Sequence, residues 1–138
     1  MSNQTGGCHC GAVRYELDAE PLFSLHCQCT DCQRIGGGGH ASNFAVPEDA
    51  VSITGDLTEY TIKADSGSNI TRTFCPSCGS PVCVKAEAVP GALLIRAGSL
   101  DDPSAFQPQM VIYTKSGHGW DGEVKNGMQT FEEMPPMG

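Results

Sequence analysis

The sequence predicts a small, mainly β domain, and three features lead to that prediction. The 138 residues include 17 glycines and 9 prolines, which interrupt the apolar runs too often for long helices. The apolar runs themselves have only the length of strands. Turn-forming residues separate them. We therefore expect one domain over residues 1–138, built from antiparallel hairpins with little helix.

Eight strands are predicted in chain order from short runs rich in β-branched, aromatic and other apolar residues. They lie at 12–17, 22–26, 42–46, 58–62, 70–74, 81–85, 93–97 and 110–113. Clusters such as 54–56 and 89–91 supply residues that tolerate turn dihedrals. The strands at 58–62 and 70–74 should form a hairpin that ends next to Cys75.

Helix is predicted at only two places, each about one or two turns long. Residues 29–34 follow a cysteine pair, and at 102–106 Asp102 can cap a turn whose first residue is Pro103. The segment after Asp121 is polar and contains two consecutive prolines. We expect this tail to fray and to carry no chemistry.

Charge and the amino terminus argue against several classes of function. The net charge of −8 opposes binding to a phosphate backbone, so we expect no nucleic-acid partner. No apolar segment approaches the roughly 20 residues that span a membrane, and the amino terminus lacks the features of a secretory signal. We expect a cytoplasmic protein whose reduced thiols serve as metal ligands or catalysts.

The eight cysteines divide by spacing into four, three and one. Zinc takes four ligands in a tetrahedron, and a short gap lets both sulfurs of a pair reach one ion. Cys75-Pro76-Ser77-Cys78-Gly79 resembles a zinc knuckle, which needs a second pair. We predict a structural zinc bound by Cys8, Cys10, Cys75 and Cys78. Two disulfides are the alternative.

Cys27, Cys29 and Cys32 lie within six residues and can surround a second zinc ion. Three protein ligands leave one position open, as in catalytic zinc, and three thiolates suit the ion to binding a thiol. We predict that these cysteines are also the catalytic residues. The alternative is a closed structural site, completed by Cys83 or a histidine. Cys83 lies in an apolar run, where a buried inert thiol is the usual outcome, and we leave it out of both sites.

Three motifs together resemble the glutathione-dependent formaldehyde-activating enzyme family, which includes the centromere protein V-like proteins. They are residues 7–15, 26–34 and 72–81, each of which contains cysteines of the two predicted sites. The resemblance covers about residues 6–120. It implies a β-tent fold, zinc on the same two groups of cysteines, and a carbon–sulfur lyase activity. The named reaction adds glutathione to formaldehyde, giving S-hydroxymethylglutathione, or reverses that addition.

The open second site predicts a small thiol as co-substrate, and the resemblance implies that this thiol is glutathione or another small thiol with an aldehyde as its partner. His26 or His40 could transfer a proton there, because imidazole titrates near neutrality. The candidates for binding the carboxylates of glutathione are Arg34, Arg72, Arg96 and Lys115. The alternative function is a non-catalytic zinc-stabilised module that binds a protein partner. The sequence leaves the oligomeric state open.

Overall fold

The computed structural model describes residues 3–136, except for the side chain of Glu123. In this part of the chain there are eleven strands, one α-helix and five short 3-10 helices. The α-helix, α1, spans Thr30–Gly36. The strands are β1 Gln4–Gly7, β2 Arg14–Leu17, β3 Phe23–Cys27, β4 Ala41–Pro47, β5 Val51–Thr54, β6 Thr58–Lys63, β7 Asn69–Phe74, β8 Pro81–Ala86, β9 Ala92–Arg96, β10 Met110–Ile112 and β11 Gln129–Thr130. The mainly β class with little helix is therefore confirmed.

All eight predicted strands are present, as β2 to β4 and β6 to β10. The sequence missed β1, β5 and β11, which are short; β1 reads Gln-Thr-Gly-Gly. These segments are strands because they pair with neighbours: β1 and β5 flank β2, and β11 lies beside β10. Pairing in the folded chain thus outweighs their weak intrinsic preference.

The two predicted helices are also present. α1 begins after Cys29, its N-cap, and ends before Gly37, whose φ of 80° stops the helix. The second is a single 3-10 turn, Pro103–Ala105. Its N-cap is Asp102, whose side chain accepts a hydrogen bond from the Ser104 N–H. Among residues 3–136, no helix is long and apolar enough to cross a membrane.

The chain divides into two compact units, each assembled from two separate stretches. Unit 1 comprises residues 1–22 and 44–106, and unit 2 comprises residues 23–43 and 107–138. The prediction of a single domain over 1–138 stays a prediction.

Unit 1 contains two sets of strands, and the strands within each set pair antiparallel. In one, β2 lies between β1 and β5, and in the other the order is β9, β8, β7, β6. The predicted hairpin is β6 and β7, with Thr58 opposite Phe74, so it ends next to Cys75. The largest fully buried side chains of the unit include Tyr15, Phe44 and Ile95.

Unit 2 is built around β10, which pairs in parallel with β3 and with β11. The sequence predicted antiparallel hairpins, and these two parallel pairings were not expected from it. Phe131 packs against the core of the unit, and its N–H donates to Val111 O at 2.9 Å. The prediction that the tail frays is therefore wrong for residues 129–133. The buried core residues of the unit include Leu25, Cys27, Cys32, Ala41, Val111 and Ile112.

The packing around β1 gives a test of unit 1. A β-carbon at Gly6 would overlap Ser99 O and the hydroxyl of Tyr15, which is buried and hydrogen-bonded to Ser99 Oγ at 2.6 Å. We predict that Gly6→Ala lowers the free energy of unfolding by about 1–3 kcal/mol, measured by urea denaturation. The control is Gly98→Ala, where a β-carbon meets nothing within 4 Å. An equal loss in both variants would contradict this account.

Candidate functional site

The first group of cysteines lies in unit 1, where two loops bring four sulfurs together. Cys8 and Cys10 follow β1, and Cys75 and Cys78 follow β7. The four Sγ atoms lie within 4.8 Å of one another. The Cys8 and Cys10 sulfurs are 3.6 Å apart, and those of Cys10 and Cys75 are 3.8 Å apart. The structure thus brings together the four cysteines that spacing had grouped.

These distances fit a tetrahedral thiolate site. With metal–sulfur bonds of about 2.3 Å, tetrahedral sulfurs are about 3.8 Å apart. A disulfide would instead place two sulfurs about 2.05 Å apart. All eight cysteines are free, so the alternative of two disulfides is not adopted.

Backbone N–H groups point at the sulfurs in both loops. The Val13 N–H donates to Cys8 Sγ at 3.2 Å, and the Ser77 N–H lies 3.4 Å from Cys75 Sγ. Gly79 completes the second loop with a φ of +78°, a conformation that glycine adopts without strain. Cysteine binds metal as the thiolate, and hydrogen bonds of this kind stabilise a thiolate in general.

The thiols of this group do not ionise equally. The hydrogen bond from the Val13 backbone N–H lowers the pKa of Cys8. Hydrogen bonds from the Ser80 hydroxyl and backbone N–H lower the pKa of Cys78 to about 5. A backbone hydrogen bond from Ala12 lowers the pKa of Cys10, but the adjacent thiols and burial outweigh it and raise that pKa to about 11. Thiolates this close repel one another, and a divalent cation would remove that repulsion.

The second group lies in unit 2, where β3 leads into α1. Cys27 is the last residue of β3, Cys29 is the N-cap of α1, and Cys32 lies in its first turn. Their Sγ atoms lie within 4.8 Å of one another. The Cys32 N–H donates to Cys29 Sγ at 3.3 Å, so the start of the helix fixes the spacing of two sulfurs. We call these three residues the triad.

The triad has three protein ligand atoms. In residues 3–136, leaving aside the Glu123 side chain, no fourth ligand atom from His, Cys, Asp or Glu joins it. Hydrogen bonds with Cys29 and Cys32, together with burial, raise the pKa of Cys27. Three soft donors fit zinc with one coordination position left for another molecule.

Cys83 belongs to neither group. It lies in β8 of unit 1 and is only 3% exposed. Its sulfur is 3.0 Å from the Thr73 hydroxyl. Burial raises the pKa of Cys83, which keeps the thiol neutral. This is the buried thiol that the sequence predicted.

A network of polar side chains holds the loop of the triad. Gln28 is fully buried between two triad cysteines, and its Nε2 donates to Asp121 Oδ2 at 3.1 Å. The Gln28 backbone carbonyl accepts from Gln33 Nε2 at 2.8 Å. Burial raises the pKa of Asp121, but hydrogen bonds from Gln28 and His40 outweigh it and lower that pKa. A β-carbon at Gly117 would overlap Gln28 Oε1, which explains the glycine there.

The two histidines considered for proton transfer lie edge to face, with ring centroids 4.6 Å apart. His26 Nδ1 is 2.8 Å from Ser42 Oγ. Burial, and then the charge of His40, lower the pKa of His26 to about 4. His40 Nδ1 lies 2.9 Å from Asp121 Oδ2. Of the two, His40 therefore has a fixed carboxylate partner, and His26 is neutral at pH 7.

The four candidate carboxylate-binding cations differ in exposure. Arg34 and Lys115 are exposed in unit 2, and Lys115 forms an ion pair with Glu133 at 3.1 Å. Arg34 forms no ion pair with a residue that the structure describes. Arg72 and Arg96 are buried in unit 1. In unit 2, Arg34 is therefore more available than Lys115 to bind a carboxylate.

Sequence reasoning missed Gln28, Asp121 and Tyr113. Tyr113 follows β10 and packs against the core cluster that contains the triad. Burial, and then the charges of Cys27 and Cys29, raise the pKa of Tyr113. Gln28 lies in the motif at 26–34 between two triad cysteines, which was the one available signal, and no motif includes Asp121 or Tyr113.

The first group gives a test of metal content. We predict that Cys78→Ser loses one metal equivalent per chain and unfolds at a lower temperature, because a structural metal contributes folding free energy on the order of 10 kcal/mol. Elemental analysis and thermal unfolding measure the two effects. Cys83→Ala is the control and should keep its full metal content. Full metal content in Cys78→Ser would contradict the assignment.

The network around the triad gives a second test. We predict that Asp121→Asn weakens metal binding at the triad about 10–100-fold, because groups that orient metal ligands contribute that much to affinity. Competition with a chelator measures the change. The exposed Asp65, replaced by Asn, is the matched control. The network would have no such role if the two variants released metal alike.

Comparison with a solved structure supports the fold. The crystal structure of a Rhodobacter sphaeroides protein matches with a TM-score of 0.58, covering 92% of this chain and 98% of that one. The two sequences are 21% identical, so this likeness concerns the fold alone.

Sequence comparisons identify the family. The family model described as glutathione-dependent formaldehyde-activating enzyme matches residues 3–116. A Halomonas elongata protein that carries the family's name is 31% identical over 77% of this chain and 71% of its own length. A Talaromyces marneffei protein with the same name is 32% identical over 94% of this chain and 77% of its own length. The chain therefore belongs to the glutathione-dependent formaldehyde-activating enzyme family.

Proposed function

We propose that the protein is a zinc-dependent enzyme of the carbon–sulfur lyase type, which joins a small thiol to an aldehyde or separates them. One observation carries the proposal: the described residues place three cysteine sulfurs together with no fourth ligand atom. The relatives are named for glutathione and formaldehyde, which supports S-hydroxymethylglutathione as the adduct. A reducing compartment such as the cytoplasm suits a protein with eight free cysteines.

The proposal assigns a different role to each group of cysteines. Cys8, Cys10, Cys75 and Cys78 hold a structural zinc, which joins two loops of unit 1 and leaves no position for substrate. Cys27, Cys29 and Cys32 hold the second zinc and are the catalytic group.

At the triad, the chain must position the sulfurs and limit the access of water. Bound there, zinc would supply one open position at which an incoming thiol loses its proton near neutral pH. The end of β3 and the start of α1 fix the sulfurs, and Gln28 with Asp121 braces the loop between them. Cys27 and Cys32 are each 6% exposed, so these two residues are largely shielded from solvent. Burial of this kind limits the access of solvent to a metal site.

In the reaction, the S–H bond of the thiol breaks and a carbon–sulfur bond forms to the carbonyl carbon. The carbonyl oxygen takes up a proton and becomes the hydroxyl of the adduct, and the reverse reaction follows the same steps backwards. His40, held by the Asp121 carboxylate, is the group in unit 2 that we propose to relay this proton.

The alternative, a non-catalytic module that binds a protein, requires the first zinc site as well. It differs at the triad, which would then bind no thiol. Thiol binding at the triad therefore separates the two functions.

Metal content combined with a glutathione titration tests the proposal. We expect two zinc ions per chain and saturable glutathione binding by calorimetry. Cys29→Ser should retain one zinc, lose glutathione binding, and cleave S-hydroxymethylglutathione at least about 100-fold more slowly. Cys83→Ala should behave like the unmodified protein. One zinc and no thiol binding in the unmodified protein would favour the binding module instead.

A further inference from the structure

Tyr113 has an unusual backbone conformation. Its φ is 57° and its ψ is 39°, in the left-handed region, and one other non-glycine residue in the described range, Asn3, has a positive φ. A residue with a β-carbon adopts this conformation at a cost in free energy, and such residues concentrate at functional sites. The surrounding structure must therefore hold Tyr113 in this unfavourable conformation.

The carboxyl-terminal segment holds Tyr113 in this conformation. The Tyr113 N–H donates to Glu133 O at 3.3 Å, and the Thr114 N–H donates to Phe131 O at 3.0 Å. The Phe131 N–H in turn donates to Val111 O on the other side of Tyr113. Residues 131–133 thus fix the backbone immediately before and after the strained residue.

The Tyr113 side chain lies near the triad, because the charges of Cys27 and Cys29 act on its hydroxyl. Ile112, the preceding residue, is paired with Cys27, and the Tyr113 side chain packs against the cluster that contains the triad cysteines. The ring is only partly buried. Its hydroxyl has no hydrogen-bond partner among the residues that the structure describes. The Tyr113 hydroxyl is therefore available to donate a hydrogen bond to a ligand at the triad.

We propose that the Tyr113 hydroxyl contacts the substrate and donates a hydrogen bond to the oxygen of the aldehyde or hydroxymethyl group at the triad. This inference rests on the proposed function. In the addition, the carbonyl oxygen gains negative charge while the carbon–sulfur bond forms, and it then takes the proton that the thiol gave up. A neutral phenol stabilises that oxygen by hydrogen bonding without being consumed.

Each of the two histidines has one ring nitrogen held by another side chain. His26 Nδ1 faces Ser42, and His40 Nδ1 faces the Asp121 carboxylate. Tyr113, in contrast, packs on the triad cluster and keeps its hydroxyl free of protein partners in the described part of the chain. Tyr113 therefore has a hydrogen-bonding group that can contact a bound molecule.

The test is Tyr113→Phe, which removes the hydroxyl and keeps the ring. We expect kcat for cleavage of S-hydroxymethylglutathione to fall about 10–100-fold, since one donor to a developing oxyanion contributes at least this much. Calorimetry gives an independent readout. Affinity for glutathione with excess formaldehyde should fall about tenfold, while affinity for glutathione alone and the zinc content stay unchanged. Tyr60→Phe, at a 53% exposed tyrosine in β6, is the matched control.

The failures of the two proposals can be told apart. If the unmodified protein is active and Tyr113→Phe matches it in both assays, the role of Tyr113 is overturned and the proposed function stands. If Tyr113→Phe also loses zinc or affinity for glutathione alone, its role is packing and the inference is equally overturned. If the unmodified protein binds no glutathione, the proposed function fails and this inference fails with it.

Discussion

The close approach of four cysteine sulfurs is the constraint on unit 1 from which the proposed structural zinc site follows. Cys10 and Cys75 are 65 residues apart in the chain, yet their sulfurs lie 3.8 Å apart. Four thiols at such distances repel one another once they ionise, so the arrangement is stable when a cation holds them. The loop after β1 and the loop after β7 are then joined at one point. The order of the strands in unit 1 is consistent with that junction.

In the proposed function, the two groups of cysteines have different roles although they use the same donor atoms. In unit 1, two loops supply four sulfurs and backbone N–H groups complete their surroundings. In unit 2, one loop supplies three sulfurs, and side chains brace it from the outside. A four-sulfur set saturates a tetrahedral ion, whereas a three-sulfur set leaves a position that another molecule can take. In the proposed function, one ligand therefore separates the structural site from the catalytic site.

The carboxyl-terminal segment has a part in unit 2 that its composition does not suggest. Its polar residues and prolines are typical of a frayed tail, but Phe131 packs on the core and backbone hydrogen bonds hold the chain on both sides of Tyr113. Asp121, at the start of this segment, reaches Gln28 and His40. Residues that are distant in sequence thus determine how the triad is held. Removing them would leave the cysteines present but the loop unsupported.

By itself, the sequence determined the positions of eight of the eleven described strands, the short helices and the grouping of the cysteines. Alternating apolar runs and close cysteine pairs are local patterns, and local geometry restricts what they can form. The tertiary structure alone decided the parallel pairing of β10 with β3 and the strand β1. It also decided the contacts of Gln28 with Asp121 and the left-handed Tyr113. These features depend on hydrogen bonds between residues far apart in the chain, and no local spacing encodes such partners.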